Sequence, residues 1–250
     1  MITPSELQSF IAPSESLTGK SILVTGASDG IGKAVAMGAA EAGATVILLG
    51  RSEDKLNTIY DEIVAQGGPT PILVALDFLK AEGGLYLQLA DQIEQDLGKL
   101  DGLVHCAGML GEMSEIEEYD GAIWQQVMHV NVNAAFALTK VCLPLIKRAQ
   151  GAIVFASSSV GRKGRAYWGA YSVSKFATEG LAQTLADELK ETGVRVNVVN
   201  PGATRTNMRL QAYPAEDRNR LKTPIDIAPA FLYFLCADTE GATGLSVDAQ

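Results

Sequence analysis

Short runs of apolar and β-branched residues recur along this 250-residue chain, and a longer segment with helical patterning follows nearly every one. The first two runs, SILVT at 21–25 and TVILL at 45–49, are apolar almost throughout. A strand with one wet face alternates polar and apolar residues; a strand covered on both faces does not. The pattern predicts strands at 21–25, 45–49, 71–76, 102–106, 152–156, 195–199 and 245–248. It predicts helices at 31–42, 53–66, 81–97, 122–149, 170–191 and 225–237. Strand–helix alternation over such a length implies α/β architecture, a single doubly wound (Rossmann-type) parallel sheet of about seven strands with helices on both faces. Residues 1–18 read as an N-terminal extension and 19–250 as one domain.

Composition excludes several classes of function. With 47% hydrophobic and 20% charged residues the chain is not of the disordered kind. A net charge of −9 opposes nucleic acid and anionic membrane as partners. Cys106, Cys142 and Cys236 are scattered and odd in number, and His105 and His129 are too few to build a zinc site with them, so neither a disulfide framework nor a metal is expected. Pro4, Glu6, Pro13 and Glu15 stand where a signal peptide would be basic and then apolar. No apolar run of about 20 residues is evident, so no membrane span is expected. A cytoplasmic protein is the expectation.

Two local patterns carry chemistry. Thr25-Gly26-Ala27-Ser28-Asp29-Gly30-Ile31-Gly32 joins the first strand to the first helix, where a tight turn and free helix-end amides suit a pyrophosphate. Its glycine spacing is G-x-x-x-G-x-G. Further on, Tyr171 and Lys175 stand four apart and share one helix face. A fixed ammonium beside a phenol favours the phenolate, which makes the hydroxyl usable for proton transfer. At the end of the second strand, Leu48-Leu49-Gly50-Arg51-Ser52 lacks the carboxylate that would bind an NAD ribose; Arg51, with Ser28 and Ser52, suits a 2′-phosphate instead. NADP is therefore the expected cofactor and NAD the alternative, since the Asp29 carboxylate works against the phosphate.

The glycine-rich turn, Tyr171-x-x-x-Lys175 and Asn200-Pro201-Gly202 together resemble the short-chain dehydrogenase/reductase family, in its branch of roughly 250 residues, from about Lys20 onward. Residues 157–165 are similar to a segment found in a bacterial subgroup of its oxidoreductases. The resemblance implies a dinucleotide-binding and catalytic domain that moves hydride between a nicotinamide and a small-molecule carbonyl or alcohol. Ser158, at the family's interval from Tyr171, and Asn131 would complete a catalytic tetrad with Tyr171 and Lys175. Ser158 would hydrogen-bond the reacting oxygen, Tyr171 would give or take the proton, Lys175 would keep the phenol acidic, and Asn131 would hold a water. The same likeness assigns cofactor contacts to Gly26, Ser28, Asp29, Gly30, Ile31, Gly32, Asp77, Phe78, Ala107 and Gly108. It adds Asn131, Tyr171, Lys175, Pro201, Gly202, Thr204 and Thr206.

Further expectations follow from the family pattern. His105-Cys106 replaces its two asparagines before Ala107-Gly108, and His105 is read as their structural substitute. Residues 203–223 would form a substrate lid, with Leu110, Met113, Tyr167, Trp168 and Met208 as pocket neighbours. Arg162, Lys163, Arg165, Arg205 and Arg209 would favour an anionic substrate if several turned inward. The long helices 122–149 and 170–191 resemble those through which family members form homodimers or homotetramers. The rival functions are an NAD-linked dehydrogenase and a non-catalytic nucleotide-binding regulator.

Overall fold

In a computed structural model, which describes residues 2–236 and 241–250, seven parallel strands form one sheet. They are β1 (Ser21–Thr25), β2 (Thr45–Gly50), β3 (Ile72–Ala75), β4 (Gly102–His105), β5 (Ala152–Ala156), β6 (Arg195–Asn200) and β7 (Ser246–Asp248). Their order is β3-β2-β1-β4-β5-β6-β7. The chain starts at the centre, winds outward to β3, then crosses back to lay β4 beside β1. Such a reversal opens a crevice beyond the carboxyl ends of the two central strands.

Every residue of β1 is buried, as its unbroken apolar run requires. Leu23 lies in register between Ile47 and Leu103. Alternate side chains feed opposite cores: Ile22 and Val24 pack on one face with Val35, Phe231 and Phe234, while Leu23 packs on the other with Leu138, Cys142 and Leu185. A polar substitution at Leu23 would leave an unpaired group in a closed core.

The helices are α1 (Pro4–Ser9), α2 (Gly30–Glu41), α3 (Glu53–Ala65), α4 (Gly83–Leu97), α5 (Gly121–Met128), α6 (Ala134–Ala149), α7 (Gly169–Glu188), α8 (Asn207–Ala212) and α9 (Pro224–Leu235). The single helix expected at 122–149 is interrupted: a π-helical turn, His129–Asn133, separates α5 from α6. Taken together, 121–149 is long and apolar enough by length and composition to cross a bilayer, contrary to expectation, yet α6 buries Leu138, Leu145 and Ile146 against the sheet. The helix expected to reach 191 ends at Glu188 and passes into a 3₁₀ turn, Lys190–Thr192. The end expected for the last helix, Ala237, lies outside the described residues. Residues 2–18 are docked rather than trailing: Leu7 and Leu17 are buried in the α2/α9 core, and Gln8 Nε2 donates to the Ala249 carbonyl at 2.8 Å.

Candidate active site

The glycine-rich turn is held where only glycine fits. Gly26 has φ +67°, and a Cβ there would lie 2.9 Å from the Ala107 backbone. A Cβ on Gly32 would lie 2.3 Å from the Gly26 carbonyl oxygen. The first contact brings the ends of β1 and β4 together; the second sets α2 directly against the turn. Thr25 Oγ1 completes the joint by accepting hydrogen bonds from the Cys106 and Ala107 amides, both at 3.1 Å. Asp29 caps α2, its Oδ1 accepting from the Gly30 amide at 2.7 Å. Its Oδ2 accepts from Asn207 Nδ2 at 2.7 Å, a partner the sequence did not suggest.

A cleft of about 570 Å³ runs from this turn along the crevice. Arg51, Asp77 and Phe78 stand at one end, and Ser158, Tyr171 and Lys175 at the other. Ser28, Ile31, Ala107 and Gly108 line the passage between, and Pro201, Gly202, Thr204 and Thr206 border it from the β6 side. Arg51 is exposed and makes no ion pair among the described residues. Ser52 caps α3 without a side-chain hydrogen bond and falls outside the cleft lining. Asp77 folds one oxygen back on the Leu79 amide at 3.1 Å. The close backbone approaches at Gly26 and Gly32, the first-turn amides of α2 beyond the capped Gly30 and the unpaired Arg51 fit a phosphorylated dinucleotide.

The catalytic end is built by β5, the turn after it, and α7. Ser158 follows β5 in extended backbone, φ −160°. Gly161 lets the next turn rest on α7, for a Cβ there would lie 2.7 Å from Lys175 Cβ. Ser172 Oγ ties that turn down through the Val160 carbonyl at 2.6 Å. Of the three adjacent serines, Ser159 is exposed and Ser157 has a buried hydroxyl without a hydrogen-bond partner, while Ser158 meets Tyr171.

Lys175 Nζ donates to the Ala156 carbonyl at 2.7 Å and stands 5.5 Å from the Tyr171 ring centroid. Burial pushes its pKa down to about 8, against the opposing influence of Cys106 and Glu179. The expected acidic phenol is not what this arrangement gives. Burial pushes Tyr171 up to about 12, and the Ser158 hydrogen bond only partly offsets it. The ammonium is turned to a backbone carbonyl, so desolvation governs the hydroxyl.

The Asn131 side chain has a structural task. It sits in the π turn, buried and outside the cleft lining. Its Oδ1 accepts from the Met109 amide at 2.7 Å, and its Nδ2 donates to the Met109 carbonyl and Ser174 Oγ, both at 2.9 Å. The side chain therefore braces the loop after β4 against α7; Ser174, its partner, was not singled out from sequence. His105 hydrogen-bonds Thr139 Oγ1 through Nε2 at 2.8 Å and stacks on Phe155 with centroids 4.7 Å apart. Burial, helped by the nearby Lys175 charge, pushes it down to about 3. Burial likewise lifts the Cys106 thiol to about 12.

Residues 203–223, expected to form a lid, contain α8 and a 3₁₀ turn, Arg218–Arg220. Most of the basic residues considered for an anionic substrate, here and after β5, are engaged by other groups. Arg162 reaches Asp248 at 2.7 Å and Glu179 at 3.3 Å, locking the turn after β5 to β7. Arg205 binds the carbonyls of Arg218 and Asn219, and Arg165 donates to the Tyr213 hydroxyl at 2.9 Å. Arg209 borders the cleft but forms a two-point pair with Glu216. The expectation of several inward arginines is corrected accordingly. Leu110, Trp168 and Met208 line the cleft; Met113 packs behind them, and Tyr167, at φ +72° and 54% exposed, lies in a neighbouring surface hollow. Gln250 Nε2 donates to the Pro201 and Ala203 carbonyls, another contact that sequence left unread.

The chain matches the family described as short chain dehydrogenase over residues 20–217. It is 50% identical over 235 residues to the uncharacterized oxidoreductase YciK of Escherichia coli K12, covering 94% of this chain and 93% of that protein. A crystal structure of a short chain dehydrogenase from Shigella flexneri 2a, complexed with NADP, has 49% identity and a TM-score of 0.92, covering 95% of this chain and 99% of its own. One from Escherichia coli CFT073, complexed with NADPH, has 50% identity and the same TM-score of 0.92, covering 95% and 100%. With a matching fold, crevice and glycine-rich turn, this chain belongs to the short chain dehydrogenase family.

Proposed function

We propose that the protein is an NADP(H)-dependent carbonyl reductase or alcohol dehydrogenase in which Ser158, Tyr171 and Lys175 carry the proton chemistry. The observation that carries this reading is the convergence of Ser158 and Tyr171 beside Lys175 in the cleft that starts at the glycine-rich turn. When bound, the dinucleotide supplies or accepts the hydride. The amides at the start of α2 hold its pyrophosphate, and Arg51 clamps the 2′-phosphate, a role supported by its lack of an internal partner. The NADP and NADPH complexes of the two similar structures support the same choice.

In the reductive direction, negative charge develops on the carbonyl oxygen. Ser158 donates a hydrogen bond to it and Tyr171 delivers the proton. A phenol held at about 12 remains a protonated donor at neutral pH. An alkoxide is a stronger base still, so the transfer runs downhill. Lys175 then stabilises the phenolate left behind. Because the Asn131 side chain is committed to Met109 and Ser174, any relay water falls to its main-chain carbonyl in the π turn.

The test is Tyr171→Phe. Turnover of NADPH with a panel of aldehydes and ketones should fall by about 10²–10⁴-fold while the NADPH Kd is unchanged. A variant with full activity would refute the assignment.

A further inference from the structure

Beyond the catalytic hydroxyls the cleft changes character. Leu110, Trp168, Met208 and Ala212 line it there, and with Val160 and Tyr213 they form an apolar cluster separate from the two sheet cores. Trp168 is set between two phenol rings, 5.7 Å from Tyr171 and 6.0 Å from Tyr213, centroid to centroid. Both rings are tilted to the indole, by 48° and 49°, and this aromatic corner, with the Met208 thioether lining the same end, suits ring faces and edges.

Arg209, the charged residue lining this end of the cleft, already has its partner, while Arg165, outside the lining, gives its Nη1 to the Tyr213 hydroxyl at 2.9 Å. Arg209 lies over the Tyr213 ring at 3.9 Å, and its Nε and Nη2 meet the two Glu216 oxygens at 2.6 and 2.5 Å. Glu216 and Arg209 hold one another in the charged state: hydrogen bonding lowers the acid and raises the guanidinium. An incoming carboxylate would have to displace Glu216 or share a cation with it, while losing its own water against Trp168 and Leu110. The opposite end of the same cleft offers a contrast, because Arg51 is exposed there and makes no ion pair among the described residues. Gln211, an exposed neutral amide, also lines the apolar end and offers a hydrogen bond without charge.

We infer that the substrate is a neutral, ring-bearing ketone or the matching secondary alcohol, and that the apolar end of the cleft rejects analogues carrying an ionised group. The inference rests on the oxidoreductase reading above. In the reductive direction the carbonyl carbon gains a hydride from NADPH, which leaves as NADP⁺, and the carbonyl oxygen gains the Tyr171 proton. A C–H and an O–H bond form as the C=O π bond breaks, and Tyr171 recovers its proton from solvent.

The experiment compares 2-tetralone, a ring-carboxylated 2-tetralone, its methyl ester and acyclic 2-butanone. Turnover is followed with NADPH, and binding to the NADP⁺-loaded protein by calorimetry. Tetralone and the ester should exceed the acid at least about tenfold in kcat/KM, and tetralone should exceed butanone by a similar factor. Glu216→Gln unmasks the Arg209 charge and should narrow the ester-to-acid ratio about fivefold. Trp168→Ala should weaken tetralone binding about tenfold without moving the NADP⁺ Kd. Acid matching or exceeding ester, or butanone matching tetralone, overturns the inference. So does the oxidation of NADPH by other carbonyls when tetralone neither binds nor reacts. If no carbonyl is reduced and Tyr171→Phe behaves like the parent protein, the oxidoreductase reading fails and takes the inference with it.

Discussion

The Asn207 amide donates a 2.7 Å hydrogen bond to Asp29 Oδ2, joining the first residue of α8 to the cap of α2 across 178 positions of sequence. Asp29 thus spends one oxygen on the glycine-rich turn and the other on α8. A single carboxylate ties the two segments together.

Asn207→Ala should cut that tie at little cost to the fold. The Asp29 side chain is half exposed, so the bond is worth on the order of 1 kcal/mol or less. The predicted effect is kinetic: α8 opens more readily and NADPH leaves about threefold faster, read by stopped-flow displacement. An unchanged release rate would show that the contact does not hold the lid.

Arg51→Ala tests the choice of cofactor. A charge-assisted hydrogen bond contributes about 1.5–3 kcal/mol, so the NADP⁺ Kd should rise roughly 10- to 100-fold. The NAD⁺ Kd should stay within about twofold of its original value, because that nucleotide has no 2′-phosphate to lose a partner. Parallel losses for both nucleotides would mean that Arg51 packs on the adenine or supports the strand end.

If Lys175 carries the proton chemistry as proposed, it should set the alkaline limit of the rate. Its folded pKa lies at about 8, below the ordinary 10.5, because burial disfavours the charged form. Raising the pH through about 8 removes the ammonium that stabilises a Tyr171 phenolate, although Tyr171 itself remains protonated to about 12. The kcat/KM for carbonyl reduction should therefore be level below about pH 7 and decline above 8. Lys175→Met should abolish that inflection and lower the plateau by at least about 10²-fold. A profile that is flat to pH 10 would remove Lys175 from the proton chemistry.

The sheet and the glycine-rich turn were legible in sequence because each obeys a local rule. A strand buried on both faces has no polar positions to hide, and Gly26 and Gly32 answer to backbone contacts that admit no Cβ. What could not be read depends on partners distant in sequence. Arg162 looks available until Asp248 and Glu179 are brought against it. The π turn in 121–149 coincides with Asn131 being drawn to the Met109 backbone, and nothing in the local periodicity signals that. Tyr167 is a pocket neighbour by the family pattern, but its backbone is left-handed and its side chain is exposed. For Tyr171 the sign of the pKa shift turned on how deeply α7 buries it, a tertiary property that a four-residue spacing does not contain.

His105 gives the fold its sensitivity to mild acid. The ring is closed in by Phe155 and Thr139, with the Lys175 charge nearby, and its pKa falls from 6.5 to about 3. Between those values the unfolded chain binds a proton that the native protein refuses, so stability is complete above 6.5 and declines as the pH drops toward 3. The loss from this one residue between pH 7 and pH 5 should be about 2 kcal/mol. That window lies above the range where Asp101 acts: hydrogen bonds from Lys99 and Ser21 outweigh its burial and hold it below 3.8, so its contribution fades only at lower pH. His105→Asn keeps a hydrogen-bonding group of modest size but cannot titrate. It should lower stability at pH 7 through the lost Phe155 stack, yet remove most of the drop between pH 7 and 5. Urea unfolding of both proteins at the two pH values measures the difference; an equal drop in the variant would assign the acid sensitivity elsewhere.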